Sequence, residues 1–183
     1  TEANKENLSF ILALSKKLSL KKDLLINSIQ KFRGLKYRQQ IVFKNKYLTI
    51  INDSKSTSFS SSLSILKNHH NIYWLLGGIH KSQDRFNLSK KYLKNIKAFV
   101  FGNNKKFFNN KLKNKIQYKN FKDLNSAFKK ILMIIRINKT KRQTILFSPC
   151  AASFDEFKNF EERGSYFNKL VKKNLNELQK INS

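Results

Sequence analysis

Residues 72–78 read Ile72-Tyr73-Trp74-Leu75-Leu76-Gly77-Gly78, five apolar residues in a row stopped by paired glycines. A short apolar run bounded by glycine reads as a strand. The same design returns at Ile96–Phe101, which ends in Gly102, and at Thr144–Phe147, which runs into Ser148-Pro149. Between these runs the spacing is helical: residues 57–67, about 104–112, and the amphipathic stretch Phe121–Ile135, with a weak strand at 115–118. Strands that alternate with helices need right-handed crossovers, so the expected body is α/β, with a doubly wound, mostly parallel sheet.

Working outward, residues 39–51 place Ile41, Phe43, Leu48, Ile50 and Ile51 at strand spacing around a Lys44-Asn45-Lys46 turn, which predicts a hairpin. Residues 4–32 read as two helices, with apolar stripes on either side of a break at Ser19–Lys22 and a stop at Gly34. Residues 155–180 close the chain as a long helix expected to break near Gly164. The boundary between the helical start and the sheet falls near Arg33–Lys36.

Of 183 residues, 40% are apolar, enough for a core. A single cysteine, Cys150, excludes an internal disulfide, and no apolar run has transmembrane length. The first residues, Thr1-Glu2-Ala3-Asn4, do not form a signal peptide, so a cytoplasmic protein is expected. The net charge of +27 suggests nucleic acid, but the lysines are scattered over the chain instead of gathered in one block. Lys, Asn, Ile and Phe are abundant while Gly, Pro and Trp number 5, 1 and 1, the pattern of an AT-rich genome. Neither a nucleic-acid nor a membrane partner is therefore expected. Against that background the clustered acids Asp155, Glu156, Glu161 and Glu162 stand out as residues with a task.

In doubly wound sheets ligands bind at the carboxyl ends of strands. Three polar, small-residue segments are expected there: Asn52–Ser58, Gly77–Asp84 and Ser148–Asp155. In Asn52-Asp53-Ser54-Lys55-Ser56-Thr57 a strand hands an ammonium and hydroxyls to a helix start, a set suited to a carboxylate or phosphate. The same run also reads as a plain helix cap through Asp53 or Ser54. Gly77-Gly78 lets the backbone turn sharply before Lys81, which adds a cation, or is an ordinary glycine turn. Ser153 is placed to donate at the mouth of the next helix. Cys150 has no His near it in sequence, and with His69, His70 and His80 it makes no metal set, so no bound metal is expected. Residues alone thus leave a stand-alone anion or small-molecule binding module open.

The ordered motifs GL-x-x-R (Gly34–Arg38), NDSK-x-T (Asn52–Thr57), LLGG-x-x-K (Leu75–Lys81) and SP-x-x-ASFD-x-F-x-NFE-x-RG (Ser148–Gly164) resemble the C-terminal domain of the Mur ligases over nearly the whole chain. The resemblance implies a Rossmann-like domain over residues 35–183, preceded at 1–34 by the last helices of a central ATPase domain. It implies the branch of the family that joins D-glutamate to UDP-N-acetylmuramoyl-L-alanine in cytoplasmic peptidoglycan precursor synthesis. In that reaction ATP and Mg2+ activate a terminal carboxylate as an acyl phosphate, which the amine then attacks.

By the same resemblance, Arg38 and Asp53 contact ATP, as do Asn4 and Asn7 of an Asn-x-x-Asn motif in which Ala3 replaces the usual His. Lys55, Thr57 and Lys81 hold D-glutamate, and Ser153, Phe154 and Phe160 wall its pocket. Tyr37 stands where a His is usual, Ser56 where Ala is common, and Ser58 where Asn is. The phosphate loop, the Mg2+ ligands and the uridine-binding domain lie upstream in the family, outside these 183 residues. The chain is accordingly expected to be a monomer that partners those missing domains and does not turn over alone.

Overall fold

The computed structural model describes residues 2–32, 34–137 and 142–180, the side chains of 2–5, 177 and 180 excepted. It divides into two compact units, Thr1–Leu35 and Lys36–Ser183. The first holds α1 (Glu2–Lys17) and α2 (Lys22–Lys31). The break between them has a definite cause. Ser19 takes a left-handed φ of 51°, while Leu20 N–H reaches Ser15 O at 3.0 Å and Ser19 N–H reaches Lys16 O at 3.2 Å. That pair of bonds is a Schellman stop.

The second unit begins with the expected hairpin, β1 (Gln40–Lys44) and β2 (Leu48–Asn52). Its turn is set by Asn45, whose side-chain oxygen accepts from Tyr47 N–H at 2.9 Å and Leu48 N–H at 2.7 Å. The chain continues through α3 (Phe59–Asn68), β3 (Ile72–Leu76), α4 (Lys90–Leu93), β4 (Ile96–Val100), α5 (Lys105–Leu112), β5 (Gln117–Asn120), α6 (Leu124–Ile137), β6 (Gln143–Phe147), α7 (Phe160–Lys173) and α8 (Leu175–Lys180). The strands lie in the order β1-β2-β6-β3-β4-β5, antiparallel only between β1 and β2. This is the doubly wound, Rossmann-like α/β sheet.

Alternation along the strands sorts the core into two layers. Leu48, Ile50, Tyr73, Leu75, Phe99, Ile145 and Phe147 face α6, α7 and α8, where Phe128, Ile131 and Phe167 meet them. Ile51, Ile72, Trp74, Leu76, Ala98, Val100 and Leu146 point to the other side, against Phe59 and Ile65 of α3 and Phe108 of α5. Strands buried on both faces are what continuous apolar runs encode. The late strand β6 slots between β2 and β3, so the carboxyl ends of all three lie side by side. Among the described residues no helix is long and apolar enough to cross a membrane.

Two expectations are corrected. The closing helix does not break at Gly164: α7 runs through it and stops at Asn174, whose side-chain amide turns back to Leu170 O at 2.7 Å. Glycine is needed at 164 for packing, since a Cβ there would collide with the ring of Tyr37. The same helix starts at Phe160, not near residue 155.

Candidate functional site at the carboxyl edge of the sheet

The turn after β2 is fixed before any side chain is offered to a ligand. Asp53 N–H donates to Phe147 O at 2.7 Å, carrying the β2–β6 ladder one residue further, and Lys55 N–H donates to Tyr37 O at 3.0 Å. Asn52, fully buried, donates to Gly164 O at 2.8 Å and to the Asn168 side chain at 2.7 Å, while its own oxygen accepts Ser54 N–H at 3.1 Å. Neither Asp53 nor Ser54 is the helix cap. Ser58 caps α3 in a box with Ser61, and the Asp84 carboxylate accepts Phe59 N–H at 2.7 Å.

Asp53 is freed from capping and only 7% exposed. One carboxylate oxygen accepts Gln39 N–H at 3.1 Å and the other accepts the Ser148 hydroxyl at 2.8 Å. Burial pushes its pKa up to about 6, against the pull of the Ser148 and Gln39 hydrogen bonds and of Arg38. A carboxylate with spare lone pairs at the end of a strand is a ready acceptor for hydroxyl or amino donors.

Lys55 is half-buried, and its ammonium stands 3.8 Å from the centroid of the Phe160 ring. Phe160 opens α7, whose cap is Asn159, accepting Glu162 N–H at 2.8 Å. Ser54 binds the same helix start, donating to Phe160 O at 2.9 Å. Beneath them lies Arg163, 1% exposed, which donates from Nε to Ser54 Oγ at 3.2 Å and from one terminal nitrogen to Ser54 O at 2.8 Å and Ala151 O at 2.9 Å. Its other terminal nitrogen is buried and has no hydrogen-bond partner among the described residues. Burial lowers its pKa to about 10, with Asp155 and Glu156 opposing the fall, so it is a cation at neutral pH. The acid cluster thus has a structural share: Asp155 and Glu156 face this cation, and Glu161 and Glu162 sit in the first turn of α7, where the helix dipole favours them.

The other two segments are clipped together. Ile79 and Ala152 exchange backbone bonds of 3.0 and 2.8 Å. Gly78 permits this approach, because its φ is 125° and a Cβ would meet Ala152 O. Ser153 is 3% exposed and its carbonyl accepts Glu156 and Phe157 N–H; with α7 opening only at Phe160, Ser153 is not at that helix mouth. Phe154 is 71% exposed and Lys81 is exposed too. Thr57 is half-buried beside the α3 cap. Cys150 is buried and its thiol is driven far up by desolvation, a structural group and not a nucleophile. Among the described residues no three His, Cys, Asp or Glu side chains form a metal-binding group.

Of the residues singled out in the sequence, Asp53, Lys55 and Phe160 are thus brought into one bonded framework, while Ser153 is buried in the loop that follows β6. Arg38, Lys81 and Phe154 lie exposed in the same unit. Asn7 is an exposed residue of α1 in the first unit, and the side chain of Asn4 lies outside the described residues. Arg163, Ser148 and Tyr37 were missed as site builders. Arg163 had a signal, since it stands inside the FE-x-RG run.

Fold and site together define a Rossmann-like α/β domain with a buried polar cluster at its strand ends. No family model matches the chain. Curated relatives do, and all three that follow carry the name UDP-N-acetylmuramoylalanine–D-glutamate ligase. The protein of Wolbachia pipientis wMel is 36% identical over 165 residues, 90% of this chain and 32% of that protein. That of Rickettsia prowazekii is 35% identical over 170 residues, 93% of the chain and 38% of its own length. That of Francisella philomiragia is 34% identical over 177 residues, covering 93% and 41%. The chain is similar in sequence to these Mur ligases and spans about a third to two fifths of the length of those it matches.

Proposed function

We propose that this chain supplies the D-glutamate side and part of the ATP side of the active site of a UDP-N-acetylmuramoylalanine–D-glutamate ligase. The observation that carries the reading is the meeting of Lys55 and Phe160, 105 positions apart in sequence, with the ammonium 3.8 Å from the ring. Contact with an aromatic face contributes about 0.5–1 kcal/mol at a half-exposed site, which favours this placement of the ammonium. A carboxylate arriving there meets a fixed cation, the Thr57 hydroxyl and, from the neighbouring loops, Lys81 and Ser153. The family's dicarboxylate amino acid suits such a set. Its amine is left to attack, and these cations orient it; they do not act as acid or base.

ATP fits this chain at two groups. Asp53 keeps lone pairs after accepting from Gln39 and Ser148, which suits the hydroxyl or amino edge of a nucleoside, and exposed Arg38 offers a cation to its phosphates. When bound, ATP supplies the activation of the carboxylate that the amine attacks. Following the motif resemblance, magnesium binding is assigned to the part of the ligase that the relatives' extra length contains. The UDP-N-acetylmuramoyl-L-alanine partner belongs to that part as well.

The test is a ligase assay on the full-length enzyme with Lys55→Ala and Lys111→Ala. Both lysines sit over a phenylalanine ring, Lys111 at 5.3 Å from Phe107 on α5. Lys55→Ala is expected to raise the KM for D-glutamate at least tenfold, the effect of losing about 1.4 kcal/mol of binding, while Lys111→Ala leaves it unchanged. Equal effects would sink the role of Lys55.

A further inference from the structure

Asp53 does not end its hydrogen bonding at Ser148. The Ser148 hydroxyl lies 2.6 Å from the Ser62 hydroxyl, and Ser62 lies 2.8 Å from the Ser56 hydroxyl and 2.9 Å from the Cys150 sulfur. Ser56, Ser62, Ser148 and Cys150 are all buried. Each hydroxyl carries one proton, which fixes the direction of the chain. Ser148 spends its proton on the Asp53 oxygen at 2.8 Å, so toward Ser62 it can only accept. Ser62 must then donate to Ser148 and can itself only accept. Ser61 already donates to Ser58 O at 2.6 Å, so Ser56, 2.7 Å from the Ser61 hydroxyl and 2.8 Å from the Ser62 hydroxyl, can give its one proton to either. The protons of Ser62 and Ser148 both point toward the carboxylate.

We propose that Ser62, with Ser148, is a positioning residue for Asp53: a one-way row of hydroxyl donors running from Ser62 on α3 to Ser148 at the end of β6 holds that carboxylate in place. Nothing in the motif resemblance marks Ser62. In a dry interior such a row strengthens itself, because each donor polarises the next. It works against desolvation, which raises the pKa of Asp53, and alongside the Gln39 N–H and Arg38 from the segment before β1. The other titratable group against the row is the Cys150 thiol, which burial and the nearby Asp53 and Asp84 charges keep protonated and thus a donor. The importance of the row for catalysis rests on the reading of Asp53 as an ATP contact; its existence does not.

The experiment follows the side-chain carboxyl carbon of Asp53 by 13C NMR as a function of pH in the whole chain. The unaltered chain is expected to titrate with a midpoint near 6. Ser148→Ala moves the midpoint upward, Ser62→Ala moves it upward by less, and Ser62→Thr restores it. Ser64→Ala, on the same helix but outside the row, leaves it in place. An unchanged midpoint in Ser62→Ala with an intact amide spectrum overturns the proposal. Should Ser62→Ala not fold, the unaltered chain decides. The hydroxyl protons of Ser62 and Ser148 should shift with the same midpoint as Asp53, and a Ser62 proton indifferent to that titration overturns the row. If the midpoints move as expected but ligase variants at Asp53 keep their affinity for ATP, the functional reading fails and the row stands.

Discussion

The inner wall of the site and its rim are built on opposite principles. Asn52, Asp53, Ser54, Ser148 and Arg163 are buried, and each is tied to main chain or to another polar side chain by at least one bond of 3.2 Å or less. Arg38, Lys81 and Phe154 are exposed. Buried polar groups that are bonded in this way keep one geometry, since any loosened member loses a hydrogen bond that water cannot replace. Exposed charges keep their hydration and their freedom. The wall therefore sets where ligand atoms go, and the rim supplies the charge that the ligand still has to organise. Lys55 is the hinge between the two, half-buried and resting on Phe160.

The largest effect expected from attacking the wall is at Arg163. Arg163→Ala strips the Ser54 and Ala151 carbonyls of their donor and leaves unfilled volume, a loss of about 3 kcal/mol in urea unfolding. A stability loss below about 0.5 kcal/mol, the level of ordinary surface changes, would show that the wall does not depend on it. Next comes Gly164→Ala. Alanine favours a helix by about 1 kcal/mol over glycine, yet its Cβ collides with the Tyr37 ring, so a net destabilisation of about 1–2 kcal/mol is expected. Adding Tyr37→Ala should recover part of it, which a double-mutant cycle measures.

Asp53→Asn should act in the opposite direction. The folded pKa of Asp53 is raised from 3.8 to about 6, so the folded state holds a proton that the unfolded state has released, and stability falls as pH rises through that window. The amide removes that cost. Above pH 6 the variant is expected to be more stable by about 1–2 kcal/mol, part of the roughly 3 kcal/mol that such a shift represents. The gain should vanish near pH 4, as urea curves at pH 7.5 and pH 4 will show. The smallest change in stability belongs to Lys55→Ala, about 0.5–1 kcal/mol from its aromatic contact, with the functional loss far larger than the structural one.

Much of the sheet was legible because both faces of its strands are buried. Ile72–Leu76 coincides with β3, and the Ser19–Lys22 break and the Lys44-Asn45-Lys46 turn fall where a Schellman stop and an Asn-centred turn form. What was not legible depends on contacts far away in sequence. Gly164 read as a helix breaker because propensity counts its flexibility, whereas Tyr37 demands its missing side chain. Asp53 could also be read as a cap because it precedes a helix, while its partners, Gln39 and Ser148, come from other segments. Ser62 looked like one serine among several, and only the insertion of β6 beside β2 brings Ser148 to it. Lys55, Thr57 and Lys81 were legible as cations and a hydroxyl at the strand ends, and the motif alone gave them D-glutamate; the contact of Lys55 with Phe160 adds a geometric reason for the first of them.

The most direct test of the account is an NMR titration of the isotopically labelled chain with D-glutamate. The lysines offer an anion many resting places, among them a cleft of about 680 Å³ at the opposite end of the sheet, bordered by Lys90, Lys94, Lys97 and Lys115. Saturable shifts confined to Lys55, Thr57, Lys81, Ser153 and Phe160, and abolished by Lys55→Ala, are the expected result. Shifts spread over the lysines or centred on that cleft, or shifts at the site that survive Lys55→Ala, would contradict it.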